Sequence, residues 1–477
     1  VSSIGETLFA LAKITLCELE SGSDLFASLH EEKDMNRVAI ILLIGIFYLS
    51  AHVDRGIASP PNVDDARAQA AGIRKVVGEH LVLYTDLPSG PELDVLPAMF
   101  DRAVPQWAKY FGVDPAATAS WQVRAFLMGD RAKFDALGLM PEGAEFEHGY
   151  AIGDDMWLFE QPSEYYRRHL LLHEGTHAFM AKFLGGCGSG WYMEGTAELM
   201  ATHRLKGSRG QGAGGREAET DELMLNIMPR DRREVRMLGR IKLVRDALAD
   251  EKSLSFAAVM ELDNRRQLGT DAYAWCWAAA KFLDSHPRYR ERFRALKAHA
   301  ANPAFNDVVR REFTDDWREL AAEWQAYVAE LDYGYDYERT AIDFERGSPL
   351  SRKRDVTIAA DRGWQSSGDW LEAGKPYQVT AKGRYQIGVE QTREGPRPWP
   401  CEPGGITLEY HAGRPLGMLL GAIVPEGGDG ANFAKPLAIG RECTLTPEVS
   451  GTLYLRVNDS PARLSENRGD LTIEIAD

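Results

Sequence analysis

The chain has 477 residues, enough for two or three domains with a full apolar core, and its 44% hydrophobic and 26% charged residues are ordinary for a globular protein. A formal net charge of −16 supplies no basic field to offset phosphate repulsion, which argues against a nucleic-acid partner. The five cysteines, Cys17, Cys187, Cys276, Cys401 and Cys443, show no C-x-x-C spacing and so do not form a metal framework.

In chain order, the first feature is Asn36-Arg37 ahead of a mostly apolar run over residues 38–51. The run is short for a bilayer span, which takes about 20 residues, and suits the apolar part of a secretory signal. A buried helix is the alternative. Met35 stands just before it, so residues 35–52 are expected to be a signal peptide or short apolar anchor, and residues 1–34 an upstream extension ahead of the true start. The mature chain is then expected to be exported: periplasmic, at the cell surface or secreted. In that compartment Cys401 and Cys443 can pair within one domain, with unpaired core thiols as the other reading. Residues 53–74 read as a polar linker.

Residues 80–85 and 121–128 alternate and are rich in β-formers, so both are expected as strands. Between them residues 92–111 have a helical period that closes at Gly112. Residues 148–152 and 156–159 suggest a further strand or hairpin. A long helix then follows, with mostly helices to about Leu331. This is an α+β layout for residues 75–345.

The chemistry lies in His173-Glu174-Gly175-Thr176-His177. If residues 164–184 are helical, the two histidines lie one turn apart on one face and converge on one ion. Glu174 points beside that ion, where a general base takes a proton from water. An amphipathic helix with one core histidine is the alternative. The segment Trp191-Tyr192-Met193-Glu194-Gly195-Thr196-Ala197-Glu198 weighs against it. Glu194 follows His177 after 16 intervening residues, and Gly185, Gly186, Gly188 and Gly190 mark a break between two helices. Glu194 completes a His-His-Glu set that leaves the fourth tetrahedral position for water. Glu198, one turn on, can accept a hydrogen bond from the distal nitrogen of His173 or His177 and fix its tautomer.

Together the two motifs resemble the gluzincin metallopeptidases, which include thermolysin and the zinc aminopeptidases with their Trp-Leu-Asn-Glu-Gly segment. They look closest to the small gluzincin-like domains of bacterial proteins. The resemblance implies Zn2+ held by His173, His177 and Glu194, with Glu174 as base, Glu198 as the orienting carboxylate and a protein or peptide as substrate. Tyr192 and Met193 replace the Leu and Asn of the aminopeptidase segment. In that family the strand before the zinc helix is an edge that pairs with extended substrate, and aminopeptidases carry Gly-x-Met-Glu-Asn there to hold a free amine. This chain has His148-Gly149-Tyr150-Ala151 instead, which favours an endopeptidase. Residues 271–278 are similar to the aminopeptidase helix that opens with Tyr-x-Lys-Gly, whose hydroxyl stabilises the oxyanion. Tyr273 is the candidate for that role, a core tyrosine is the alternative, and Trp275-Cys276 stand where the family has Lys-Gly. Residues 206–219, rich in Gly, Ser and Arg, read as a surface loop.

From Asp355 the composition turns to short alternating segments with many Gly and Pro. Residues 377–381, 406–410, 418–423, 451–457 and 471–475 are expected as strands of an all-β sandwich over 355–477. Trp364-x-x-Ser-Gly followed by Gly374, Pro415-Leu416-Gly417-Met418-Leu419, and Leu453-Tyr454-Leu455-Arg456-Val457-Asn458-Asp459 resemble the calcium-dependent galactophilic lectins of bacteria. That resemblance implies Ca2+ at Asp459, Glu466 and Asn467, whose hard oxygen donors suit the ion, and glycan or cell-surface material as a partner. Glu466 stands where the family usually has Asn, and Glu402 and Gly405 replace its sugar-contacting His and Gln. A plain polar loop between the last two strands is the other reading.

Three functions remain open. One is an exported zinc-dependent peptidase whose β-sandwich positions it on its target. A second is a surface or glycan-binding protein with a non-catalytic peptidase-like scaffold. The third is a zinc hydrolase of a non-peptide amide. Glu174 favours chemistry over the scaffold, because a structural zinc site needs no base.

Overall fold

The computed structural model describes residues 61–477 apart from 142, 144, 207–221, 263–268 and 429. The expected signal at 35–52, the extension at 1–34 and most of the loop at 206–219 lie outside the described residues. Residues 62–477 form one compact unit. No described helix is long and apolar enough to cross a membrane.

The first half is a mixed sheet with helices on its faces. Its strands are β1 (Arg74–Val77), β2 (Leu81–Thr85), β3 (Val123–Met128), β4 (Gly149–Ile152) and β5 (Asp155–Phe159), in the order β1-β2-β3-β5-β4. The pairs β2–β3 and β3–β5 are parallel, while β1–β2 and β4–β5 are antiparallel. Successive side chains serve opposite faces, as a strand requires. Leu81, Leu83, Val123, Ala125, Leu127, Met156 and Leu158 enter the main core, whereas Val82, Tyr84, Phe126, Met128 and Trp157 enter a smaller one behind the sheet. Helix α1 (Asp65–Ala70) belongs to that smaller core through Ala68. Part of the expected 53–74 linker is therefore ordered, because the Asp64 carboxylate caps this short helix by accepting from Ala66 N and Arg67 N.

On the main face lie α2 (Leu96–Phe111), α3 (Glu164–Leu184), α4 (Gly190–Ala201), α5 (Arg240–Ala249), α6 (Thr270–Ser285) and α7 (Trp317–Glu330), with shorter turns between them. Their apolar faces form one continuous core with the sheet.

The rest is β-rich. Its strands are β6 (Ser348–Pro349), β7 (Lys353–Ala359), β8 (Gln365–Leu371), β9 (Tyr377–Lys382), β10 (Tyr385–Thr392), β11 (Gly395–Cys401), β12 (Ile406–His411), β13 (Arg414–Leu416), β14 (Leu419–Val424), β15 (Leu437–Ala438), β16 (Glu442–Leu445), β17 (Gly451–Val457) and β18 (Asp470–Ala476). One sheet runs β15-β14-β17-β8-β6 and the other β16-β9-β18-β7, with β10–β11 and β12–β13 as separate hairpins. Leu419, Leu453 and Leu455 of the first sheet meet Val379, Ile473 and Ile475 of the second in a shared core, which is the packing of a sandwich. The sheet recruits Ser348–Pro349 through β8, so it begins before the expected 355. Cys401 and Cys443 are both free thiols. The disulfide reading is thus corrected: Cys401 is buried with its Sγ 3.7 Å from the Tyr385 hydroxyl, and Cys443 lies on β16 opposite Val379.

Candidate metal centre and cleft

Ser163 starts α3, its hydroxyl accepting from Tyr166 N at 3.1 Å, and the helix then runs for 21 residues to Gly185, whose φ of 72° ends it. Within the His-Glu-x-x-His turn, Gly175 has a packing reason. A Cβ there would lie 2.5 Å from Phe100 Cε2 and 2.8 Å from Trp107 Cη2, so α2 can cross only over a glycine. Gly195 plays the same part on α4, where a Cβ would lie 2.5 Å from Cys276 O of α6. These two close crossings seat α2 on α3 and α4 on α6.

The three expected ligands meet. His173 Nε2 lies 3.0 Å from His177 Nε2 and 3.1 Å from Glu194 Oε2, and His177 Nε2 lies 3.3 Å from the same oxygen. A tetrahedral zinc with bonds of about 2.0–2.1 Å has ligand edges of about 3.3 Å, so the set fits the ion in donor type and in spacing. These groups also hold one another's charges. Burial pushes the His173 imidazole down, but its hydrogen bonds to Glu194 and Glu198 outweigh that and lift it to about 9. His177, opposed by burial, is raised by the Glu194 charge. Burial raises the Glu194 carboxyl, yet the His177 charge and the bonds from both imidazoles hold it at about 2.

Glu174 is buried beside this set and makes no part of it. Burial raises its carboxyl above the usual range, with His173 and His177 pulling the other way. Directly over it passes Gly149 of β4, where a Cβ would lie 2.9 Å from Glu174 Cδ. Phe159 N donates to His148 O at 2.8 Å, and the register pairs Tyr150 with Trp157. In an antiparallel pair the alternate residues turn outward, so Gly149 and Ala151 direct their N–H and C=O groups away from β5. The sheet order puts β4 at the edge on that side. Strand and helix enclose a cleft of 590 Å³, lined by Gly149, Ala151, Ala178, Met193 and Tyr273 among others. Tyr273, half-buried at the start of α6, sits with its ring centroid 5.9 Å from that of His173, and burial together with the Glu194 charge raises its phenol.

Glu198 selects His173 of the two histidines expected for it, at 3.2 Å from Nδ1. Two further residues escaped the sequence reading. Arg240 grips Glu198 through both oxygens, Nη2 to Oε1 at 2.7 Å and Nε to Oε2 at 2.8 Å, and His169 Nε2 lies 3.1 Å from Oε2. Burial pushes Glu198 up, but the Arg240 charge and the His169 contact hold it well below the carboxylate range. Burial lowers the His169 imidazole, against the pull of Glu198. The signal for His169 was available, since 169, 173 and 177 are spaced by four. Arg240 had none, because its place depends on a contact 42 residues away in sequence.

Among the described residues, the His, Cys, Asp and Glu groups close enough to share an ion both lie on α3 and α4. In the β-rich part, Asp459 and Asn467 are brought together: Asn467 Nδ2 donates to Asp459 Oδ2 at 3.0 Å and to Ala360 O at 3.1 Å, and its Oδ1 accepts from Gly388 N at 2.9 Å. Burial raises the Asp459 carboxyl, with Asn467 and Arg463 opposing. Glu466 is exposed beside them.

No protein-family model matches the chain, and no curated protein matches it. Among solved structures, the EclA N-terminal domain, a PllA-like lectin, aligns with 27% of this chain and 96% of its own length, at 20% identity and a TM-score of 0.20. A likeness at that score carries no argument about fold or ligand.

Proposed function

We propose that this chain is a zinc-dependent peptidase of gluzincin type, cleaving within extended peptides. The observation that carries the reading is the 3.0–3.3 Å convergence of His173 Nε2, His177 Nε2 and Glu194 Oε2 beside a buried carboxylate that takes no part in it. A zinc ion held by those three atoms supplies Lewis acidity toward a carbonyl and toward water. Glu174, with its proton affinity raised by burial, accepts the water proton and returns it to the leaving amine. The outward N–H and C=O groups of Gly149 and Ala151 can bind the substrate backbone as an added strand. Tyr273 keeps its proton at neutral pH and can donate to the carbonyl oxygen as charge develops there. The β-sandwich is read as a positioning module, and export rests on the apolar run at 38–51. Calcium has no part in the proposal; Asn467 and Asp459 are bonded to one another and to the surrounding backbone.

The test is Glu174→Gln. It is expected to keep one zinc per chain while cleaving a peptide library roughly 10²–10⁴ times more slowly. Equal cleavage by the variant, or wild-type protein that takes up no zinc, would overturn the reading.

A further inference from the structure

Resting on that zinc site, we infer that His169 is a positioning residue for the metal centre, acting through Glu198. A carboxylate offers about four lone-pair sites. Arg240 occupies one on each oxygen of Glu198, at 2.7 and 2.8 Å. His173 Nδ1 takes the second site on Oε1 at 3.2 Å, and His169 Nε2 takes the second on Oε2 at 3.1 Å. Four donors thus fill four sites on a side chain that is 2% exposed, where water is excluded.

Two consequences follow for the protons. An anionic carboxylate only accepts, so His173 must donate from Nδ1, and its Nε2 is the nitrogen turned toward Glu194 and His177. His169 must likewise donate from Nε2. Its Nδ1 is a buried ring nitrogen without a hydrogen-bond partner, so the proton belongs on Nε2. Remove the His169 donor and Oε2 keeps an empty site in a buried network, so the carboxylate is free to turn about the Arg240 fork and the His173 ring with it. Partners that bond a ligand directly affect metal affinity by about 10–100-fold when lost, and His169 acts on such a partner.

The same geometry raises a rival, because His169, His173 and Glu198 also lie close enough together to share an ion. Arg240 argues against it. A second cation there would sit against a guanidinium whose side chain is 8% exposed, on a carboxylate with no lone pair to spare. His169 therefore serves Glu198 and holds no ion of its own.

The test uses the full chain with His169→Phe, which keeps a ring but no donor, and His169→Gln, which keeps a donor. Zinc affinity is read by competition with a chromophoric chelator, and metal content by elemental analysis. His169→Phe is expected to weaken zinc binding about tenfold or more, while His169→Gln stays within about threefold of wild type. Nitrogen NMR of the wild-type histidines is expected to place the His169 proton on Nε2, a result that needs no variant to fold. Unchanged affinity in His169→Phe, a proton on His169 Nδ1, or two zinc ions per wild-type chain would each overturn the inference. Wild-type protein without zinc would instead bring down the peptidase reading, and the His169 proton would still be measurable.

Discussion

At the residue scale, Glu174 owes its place to a neighbour without a side chain. Gly149 crosses so close that a Cβ would lie 2.9 and 3.0 Å from Glu174 Cδ and Cγ, and Glu174 would have to move. Gly149→Ala is expected to keep zinc affinity and to lower kcat about 10²-fold, since a misplacement near 1 Å costs that much. Matched zinc binding with unchanged kcat would contradict it. The proposed ligands carry a second prediction. His173 holds its proton up to about pH 9, and a zinc ion bound as proposed would have to displace it. Apparent affinity should therefore rise with pH through the range in which His173 and His177 lose their protons, roughly tenfold per unit for each proton released. Calorimetry in buffers of differing ionisation enthalpy would read the protons directly. The stability side has the opposite sign: the raised pKa stabilises the metal-free fold fully below about 6.5 and is lost as pH rises through about 9.

At the element scale, the site is built from close helix crossings. Gly195 lets α4 touch the backbone of α6, and α6 carries Tyr273. Gly195→Ala is expected to cost about 1–3 kcal/mol by overpacking, seen as a lower melting temperature, and to lower kcat by moving the tyrosine. A variant as stable and as active as wild type would show the crossing to be slack. Elements with strong local signals were legible. The expected 164–184 helix matches because Ser163 and Gly185 punctuate it, and the expected strand at 451–457 matches a stretch buried throughout. The strands Tyr385–Thr392 and Gly395–Cys401 were not anticipated. Much of β11 is exposed, and its three prolines read as loop until β10 pairs with it.

At the scale of the whole molecule, the β-rich part is welded to the helical part. Ala322 of α7 shares an apolar cluster with Trp364, Leu420, Phe433 and Tyr454. Glu330 at the end of α7 forms a two-point ion pair with Arg456 of β17, whose guanidinium lies 4.7 Å above the Trp364 ring. The side chains are 17% and 5% exposed, so Glu330→Ala strands a buried cation, at a cost of about 3–5 kcal/mol. The expected result is a single thermal transition moved to lower temperature in both parts together. A separate early melt of the β-rich part alone would mean that the junction is not shared.

Much of this protein was written in its local residue pattern. Four-residue spacing on a helix puts His173 and His177 on one face, a glycine-rich break returns Glu194, and alternation marks the strands. Such signals depend only on backbone periodicity, which neighbours along the chain determine. Tertiary structure alone decided the rest: that Glu198 pairs with His173 and not His177, that Arg240 completes it, that Gly149 lies on Glu174, and that Gly175 and Gly195 are contact points between helices. Those facts depend on distances between segments far apart in sequence, and no period along the chain encodes them.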